Sequence, residues 1–229
     1  MTGTVTSMTD HSSTRVVLVR HGESNVTVAR IVGGPRTCSG LSPLGVSQAE
    51  RLRDRLAETG EIPATALISS AYPRAIETAE IIGPAFGLPV EIDAAFGEHD
   101  PGPVCDGMSF AAFVERYGMP DWESDPYGVV FDGGETIAAF HHRVATAFAA
   151  LPRDHAGGTV VVVCHGGVVD VVMRQALRVA MTGGFELHTR NTSLTDLELT
   201  RPGRWRLNRY NDHAHLAGLP PETPRATDG

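Results

Sequence analysis

The sequence predicts an α/β sandwich in three layers, with a mostly parallel central sheet flanked by helices. Short β-branched or apolar runs at residues 16–19, 66–68 and 159–163 alternate with longer stretches that carry helix caps and helical spacing. Two of these runs end alike, each passing directly into a histidine and then a glycine. The 229 residues suit one large domain, which can bury its apolar side chains without staples.

Residues 1–14 read as a polar, flexible leader rich in Ser and Thr, with no apolar core of signal-peptide type. Residues 16–19 form a buried strand running into Arg20-His21-Gly22. Ser42 caps and Pro43 opens a helix to about residue 59. After the strand at 66–68, Pro73 starts a helix to about Phe86, stopped by Gly87. Glycines and prolines without period make 94–108 a loop of functional type, followed by a short helix over 109–117. Asp132 is expected to cap a helix that puts Ile137, Phe140, Val144, Phe148 and Leu151 on one face. The strand at 159–163 leads through Cys164-His165-Gly166-Gly167 into a helix to about Ala180. Strands at 192–199 and 205–210 close the fold around Arg201-Pro202-Gly203, and the chain past residue 216 reads as a flexible tail.

Composition removes whole classes of chemistry. All nineteen basic residues are arginine, so Schiff-base, pyridoxal phosphate and P-loop lysine mechanisms have no residue to run on. Three scattered cysteines (Cys38, Cys105 and Cys164) point to neither a disulfide framework nor a structural zinc, and to a reducing cytoplasm. A net charge of −8 disfavours nucleic acid as a partner, and no apolar run reaches membrane-spanning length. The expected partner is a small molecule, and the open edges of such a sheet leave room for a homodimer.

The repeated strand-His-Gly design carries the function. If the two strands are parallel and close, His21 and His165 meet at the carboxyl edge of the sheet, where ligands bind in such folds. Glycine lets the backbone approach a ligand, and the helix that follows offers free N–H groups to an anion. Arg20 adds a permanent charge, and Arg74, in the first turn of its helix, can face the same crevice unless it pairs with Glu77. Two arginines, two histidines and helix amides make an anion pocket suited to tetrahedral phosphate. Cys164 reads as a buried small hydrophobe.

These residues also resemble a known family. Arg20-His21-Gly22-Glu23-Ser24 is similar to the signature of the histidine phosphatase superfamily, the phosphoglycerate mutase-like fold. Leu41 to Gly45 with Gln48-Ala49, Ser69-Ser70 through Arg74 to Ala79, Glu98 with Gly102 and Gly107, Gly134-Glu135-Thr136, and Cys164 to Gly167 follow in the family's order. The resemblance runs from about residue 15 to 216. It implies one domain over that span, in which 97–131 form an acid loop and small cap. It also implies a metal-free, cofactor-free phosphomonoester hydrolase in which His21 becomes phosphohistidine. Arg20, Arg74 and His165 would hold the phosphoryl oxygens, with Gly34 and Gly166 also at the substrate. Glu98 would protonate the leaving alcohol and then activate water, with Asp100 and Asp106 as alternatives. Thr27 stands where the family often has asparagine and would bind the substrate phosphate through its shorter hydroxyl, and His99 is expected in the pocket wall.

Two other functions fit the same residues: phosphoglycerate mutase-type transfer, and a phospho-ligand binding module with weak catalysis. The compact stretch from Arg74 to His165 favours the phosphatase branch. A metal site is not expected. Adjacent His141 and His142 diverge by about 100° on a helix, and His213 and His215 have no Asp or Cys at ligand spacing.

Overall fold

The computed structural model describes residues 13–224. Of the expected leader only Ser13 and Thr14 fall within that range, and residues 225–229 of the expected tail lie outside it. The strands are β1 (Thr14–Arg20), β2 (Ala66–Ser69), β3 (Val90–Ile92), β4 (Thr159–Cys164), β5 (Leu194–Arg201) and β6 (Arg204–Asp212). The helices are α1 (Asn25–Val28), α2 (Pro43–Thr59), α3 (Pro73–Ile82), α4 (Gly102–Cys105), α5 (Phe110–Tyr117), α6 (Ile137–Asp154) and α7 (Gly166–Leu177).

The sheet runs β3-β2-β4-β1-β5-β6. Its inner pairings, β1 with β4, β4 with β2 and β2 with β3, are parallel. The closing strands β5 and β6 add antiparallel pairings at one side, so the sheet is mixed. Both faces are covered, which explains continuous rather than alternating apolar runs. Val16 and Leu18 face the layer built by α6 and α7, packing with Val144, Phe148, Val168 and Val172. Val17 and Val19 point the other way, onto Leu52, Leu56, Ala75 and Ala79 of α2 and α3. Burying each such side chain stabilises the fold by about 1.5–3 kcal/mol. A smaller, separate cluster of Val32, Cys105, Phe113 and Phe131 packs α4 and α5 together.

Several boundaries differ from expectation, each for a local reason. The helix at 137 is capped by Thr136, whose hydroxyl accepts from the Ala139 amide, not by Asp132. Gly133, at φ 73°, turns the chain between the two. Helix α3 ends at Ile82 and continues only as a 3-10 turn over Gly83–Ala85, short of Phe86. Helix α7 ends at Leu177 because Arg178 adopts the left-handed conformation, at φ 58°. Short strand β3 escaped notice because its three residues are half-buried or exposed at an edge and show no alternation.

The segment expected to be a flexible tail from residue 217 is anchored as far as Thr223. The Thr223 amide donates to Glu23 Oε2 at 2.7 Å, and Glu222 pairs with Arg190 at 2.8 Å. Among the described residues no helix is long and apolar enough to cross a membrane.

Candidate active site

The parallel register pairs Arg20 of β1 with Cys164 of β4, so the residues that follow, His21 and His165, leave the sheet side by side. Their rings stand edge-on with centroids 5.1 Å apart. The turn after His21 packs flat on the start of α2. A Cβ on Gly22 would sit 2.5 Å from the Gly45 carbonyl oxygen, so a larger side chain has no room there. The Gly22 amide donates to Thr78 Oγ1 at 3.0 Å and the Glu23 amide to Gln48 Oε1 at 2.8 Å. From the opposite side Asn191 Nδ2 donates to the His21 carbonyl at 2.8 Å.

This framework fixes the chemistry of His21. Its Nδ1 lies 2.6 Å from the Gly22 carbonyl oxygen, which can only accept, so Nδ1 carries the proton. The free lone pair is therefore on Nε2, and Arg74 Nε donates to it at 3.1 Å. Burial first, then the charges of Arg74 and Arg20, push the His21 pKa well below the ordinary imidazole value, against the Gly22 bond. The ring is neutral and presents its unprotonated nitrogen to the Arg74 guanidinium.

Arg74 and Arg20 are held in place by different means. Arg74 lies over the Tyr72 ring, 4.6 Å from its centroid, and donates to the Gly33 carbonyl at 3.3 Å. It does not pair with Glu77, which accepts instead from the Leu41 amide at 2.7 Å. Arg20 donates to the Thr189 carbonyl. His165 is wholly buried, and burial followed by Arg74, His21 and Arg20 lowers its pKa far below the ordinary value. Its Nε2 meets Ser70 Oγ at 2.7 Å, while Nδ1 is buried without a partner.

Of the three candidate acids, only Glu98 lines the cavity that contains His21. Its Oε2 accepts from the Gly167 amide, in the first turn of α7, at 3.2 Å. Asp106 instead accepts from the Gly34 and Arg36 amides, each at 2.9 Å, and from the Thr37 hydroxyl. These bonds hold its pKa low and tie down the 33–37 loop. Asp100 accepts from the Gly102 amide at 2.8 Å. Arg143 clamps the acid loop, donating to the carbonyls of Ala95 at 2.9 Å, Gly97 at 3.0 Å and Glu98 at 3.3 Å. It pairs as well with Glu135 at 2.8 Å.

The remaining expected residues fall into two groups. Thr27, Gly166 and His99 line the cavity, with the Thr27 hydroxyl 2.9 Å from Ser24 Oγ. Gly34 does not; its amide is engaged by Asp106, and the adjacent Gly33 takes the wall position. Cys164 is fully buried, and burial pushes its thiol pKa strongly upward, as suits a packing residue. Among the described residues no three His, Cys, Asp or Glu side chains gather as a metal site. His213 Nδ1 meets the Asn211 carbonyl at 2.7 Å and His215 Nε2 the Thr192 hydroxyl at 2.9 Å.

Sequence reasoning missed Asn191 and Arg143, which sit in a loop and in mid-helix with nothing in their neighbours to signal a distant carbonyl. It also gave no role to Ser70, Thr78 and Gln48, although each lies within a segment that carries the family resemblance.

The sequence pattern of the histidine phosphatase superfamily (branch 1) matches residues 16–213. Phosphoglycerate mutase-like protein 4 of Arabidopsis thaliana is 30% identical over 205 residues, which cover 88% of this chain and 86% of that protein. The uncharacterized phosphatase PhoE of Bacillus subtilis is 29% identical over 214 residues, covering 90% and 98%. The chain spans 55% of the length of longer mycobacterial relatives to which it is 30% identical. Among solved structures, a mycobacterial glucosyl-3-phosphoglycerate phosphatase superposes with a TM-score of 0.72 at 26% identity, covering 86% of this chain and 98% of that one.

Proposed function

The chain belongs to the histidine phosphatase superfamily, and from that premise we propose that it hydrolyses small phosphomonoesters without a metal, through a phosphohistidine on His21. The observation that carries this reading is the pairing of Nδ1 with the Gly22 carbonyl, which leaves the Nε2 lone pair of a neutral ring on Arg74, with the charge of Arg20 also acting on the ring.

In the first step Nε2 attacks phosphorus and a P–N bond forms as the P–O bond to the alcohol breaks. Glu98, in its acid form, gives its proton to the departing oxygen. Arg20, Arg74, an Nδ1–H of His165 and the amides at the start of α7 take up the charge on the phosphoryl oxygens. In the second step water attacks phosphorus from the vacated side, Glu98 accepts its proton, and the P–N bond breaks to return the lone pair to Nε2. Each step is an in-line displacement in which positioning and fixed charges do the catalysis. The Thr27 hydroxyl, at the cavity wall, is a further contact for the phosphoryl group.

The cytoplasm is the proposed compartment, where the buried free thiols of Cys38, Cys105 and Cys164 stay reduced. Phosphate release from an aryl phosphate, measured in EDTA for wild type and His21→Ala, tests the proposal. Release that vanishes in the variant is the expected result. No release by folded wild type, or isomerisation of a phosphoglycerate without release in the presence of a bisphosphate primer, contradicts it.

A further inference from the structure

Building on the phosphatase reading, we propose that the alcohol released by this site carries a bulky aromatic or apolar group and is not a small hydroxy acid. Glu98 marks where the leaving oxygen departs, so the side chains around Glu98 are those that receive the rest of the substrate. They are aromatic. His99, the next residue, is buried and stands edge-on to Trp122 at 5.1 Å and to Phe140 at 5.6 Å, with Phe131 at 5.8 Å. Burial pushes its imidazole pKa down, so this wall is uncharged. Phe140 also reaches the first turn of α7, where a Cβ on Gly167 would lie 3.2 Å from its ring. The aromatic wall and the phosphate cradle are thus continuous.

Size and charge agree with this assignment. The cavity holds about 640 Å³, far more than a phosphate with a three-carbon acid needs, and within the range of sites for larger ligands. A carboxylate on the substrate would need a cation other than Arg20 and Arg74, which serve the phosphoryl group. Arg174 lines the cavity, but it is engaged by Asp170 at 2.6 Å and by the carbonyls of Ala180, Gly183 and Phe185 at 2.8–3.0 Å. Arg30 is exposed at the mouth, where an ion pair contributes little, and Glu123 and Glu186 at the same rim repel a carboxylate. An aromatic ring instead finds faces and edges it can pack against while excluding water.

The test compares 2-phenylethyl phosphate with glycerol 3-phosphate and 3-phosphoglycerate, all esters of primary alcohols, so leaving-group chemistry is matched. The expected kcat/KM for the phenylethyl ester exceeds the others by about tenfold or more. Trp122→Ala should shrink that ratio and Trp122→Phe should retain it. The ratio is taken on one preparation, so it does not depend on how much of a variant folds. Equal or better hydrolysis of 3-phosphoglycerate overturns the inference and leaves the phosphatase reading standing. So does release from para-nitrophenyl phosphate with none from the phenylethyl ester. No release from any ester overturns that reading, and the inference with it.

Discussion

Ser70 Oγ and His165 Nε2 are joined by a 2.7 Å hydrogen bond, and the Ser70 oxygen also accepts from the Tyr72 amide at 3.4 Å. The Tyr72 amide takes only one of the hydroxyl's two lone pairs, but Nε2 is the acceptor that lies within reach of the hydroxyl proton; with Nε2 accepting it, the imidazole proton sits on Nδ1, which has no partner in the fold. Ser70 is therefore a positioning residue that makes His165 a donor. In Ser70→Ala, kcat should fall by about 10²-fold, the scale of losing one oxyanion donor, with a much smaller change in KM. Ser70→Thr should restore most of it. Nitrogen chemical shifts of His165 should report an Nδ1–H tautomer in wild type; an Nε2–H tautomer there, or full activity in Ser70→Ala, refutes this role.

The depressed pKa of His21 has a direct kinetic consequence. A nucleophile with the ordinary imidazole value of 6.5 would lose half its activity at that pH. Because burial, Arg74 and Arg20 all disfavour the imidazolium, the unprotonated fraction stays complete well into acid. Corrected for the ester's own second ionisation at about pH 6, the profile of kcat/KM should show no further fall of one proton's steepness as pH drops through 6.5. A further acid limb centred there contradicts the assignment.

Arg143 acts on the acid through the backbone. Its fork holds the carbonyls of Ala95, Gly97 and Glu98, a pattern that the single ammonium of lysine cannot reproduce. Arg143→Lys should lower kcat by about tenfold to a hundredfold, since small displacements of a catalytic group cost that much. The loss should be greatest for esters of poor leaving groups, which in the proposed mechanism need the proton from Glu98. An equal loss on aryl and alkyl esters would mean that Arg143 supports the fold alone.

The buried histidines set the acid side of stability. His215, desolvated and facing Arg55, has its pKa lowered to about 4, so the native state binds fewer protons than the unfolded chain between that value and 6.5. His21 and His165 act in the same direction. Stability should therefore be greatest above pH 6.5 and decline as pH falls toward 5, each histidine adding a slope of about 1.4 kcal/mol per pH unit. Urea unfolding of wild type and His215→Gln across this range checks the sign; the variant should show the shallower slope.

The sequence made the catalytic edge legible because strand burial and the following His-Gly are local facts. Val16 to Val19 and Val160 to Val163 are fully buried, and only one lateral placement of such strands brings His21 beside His165. The choice among Glu98, Asp100 and Asp106 was not local. It depends on which carboxylate the loop turns inward, and that is decided by Arg143 and by the amides that hold Asp106. Asn191 was illegible for the same reason, since its partner carbonyl lies 170 residues away. The anchoring of the tail depends likewise on Glu23 and Arg190, which no pattern near residue 222 announces.

The central claim is that His21 Nε2 receives the phosphoryl group, and rapid-quench labelling with a ³²P-phosphomonoester tests it most directly. The account predicts an acid-labile, alkali-stable label that maps to His21 and disappears with release of phosphate, with none in His21→Ala. Phosphate release by wild type with no such label, or with a label on another residue, would contradict it.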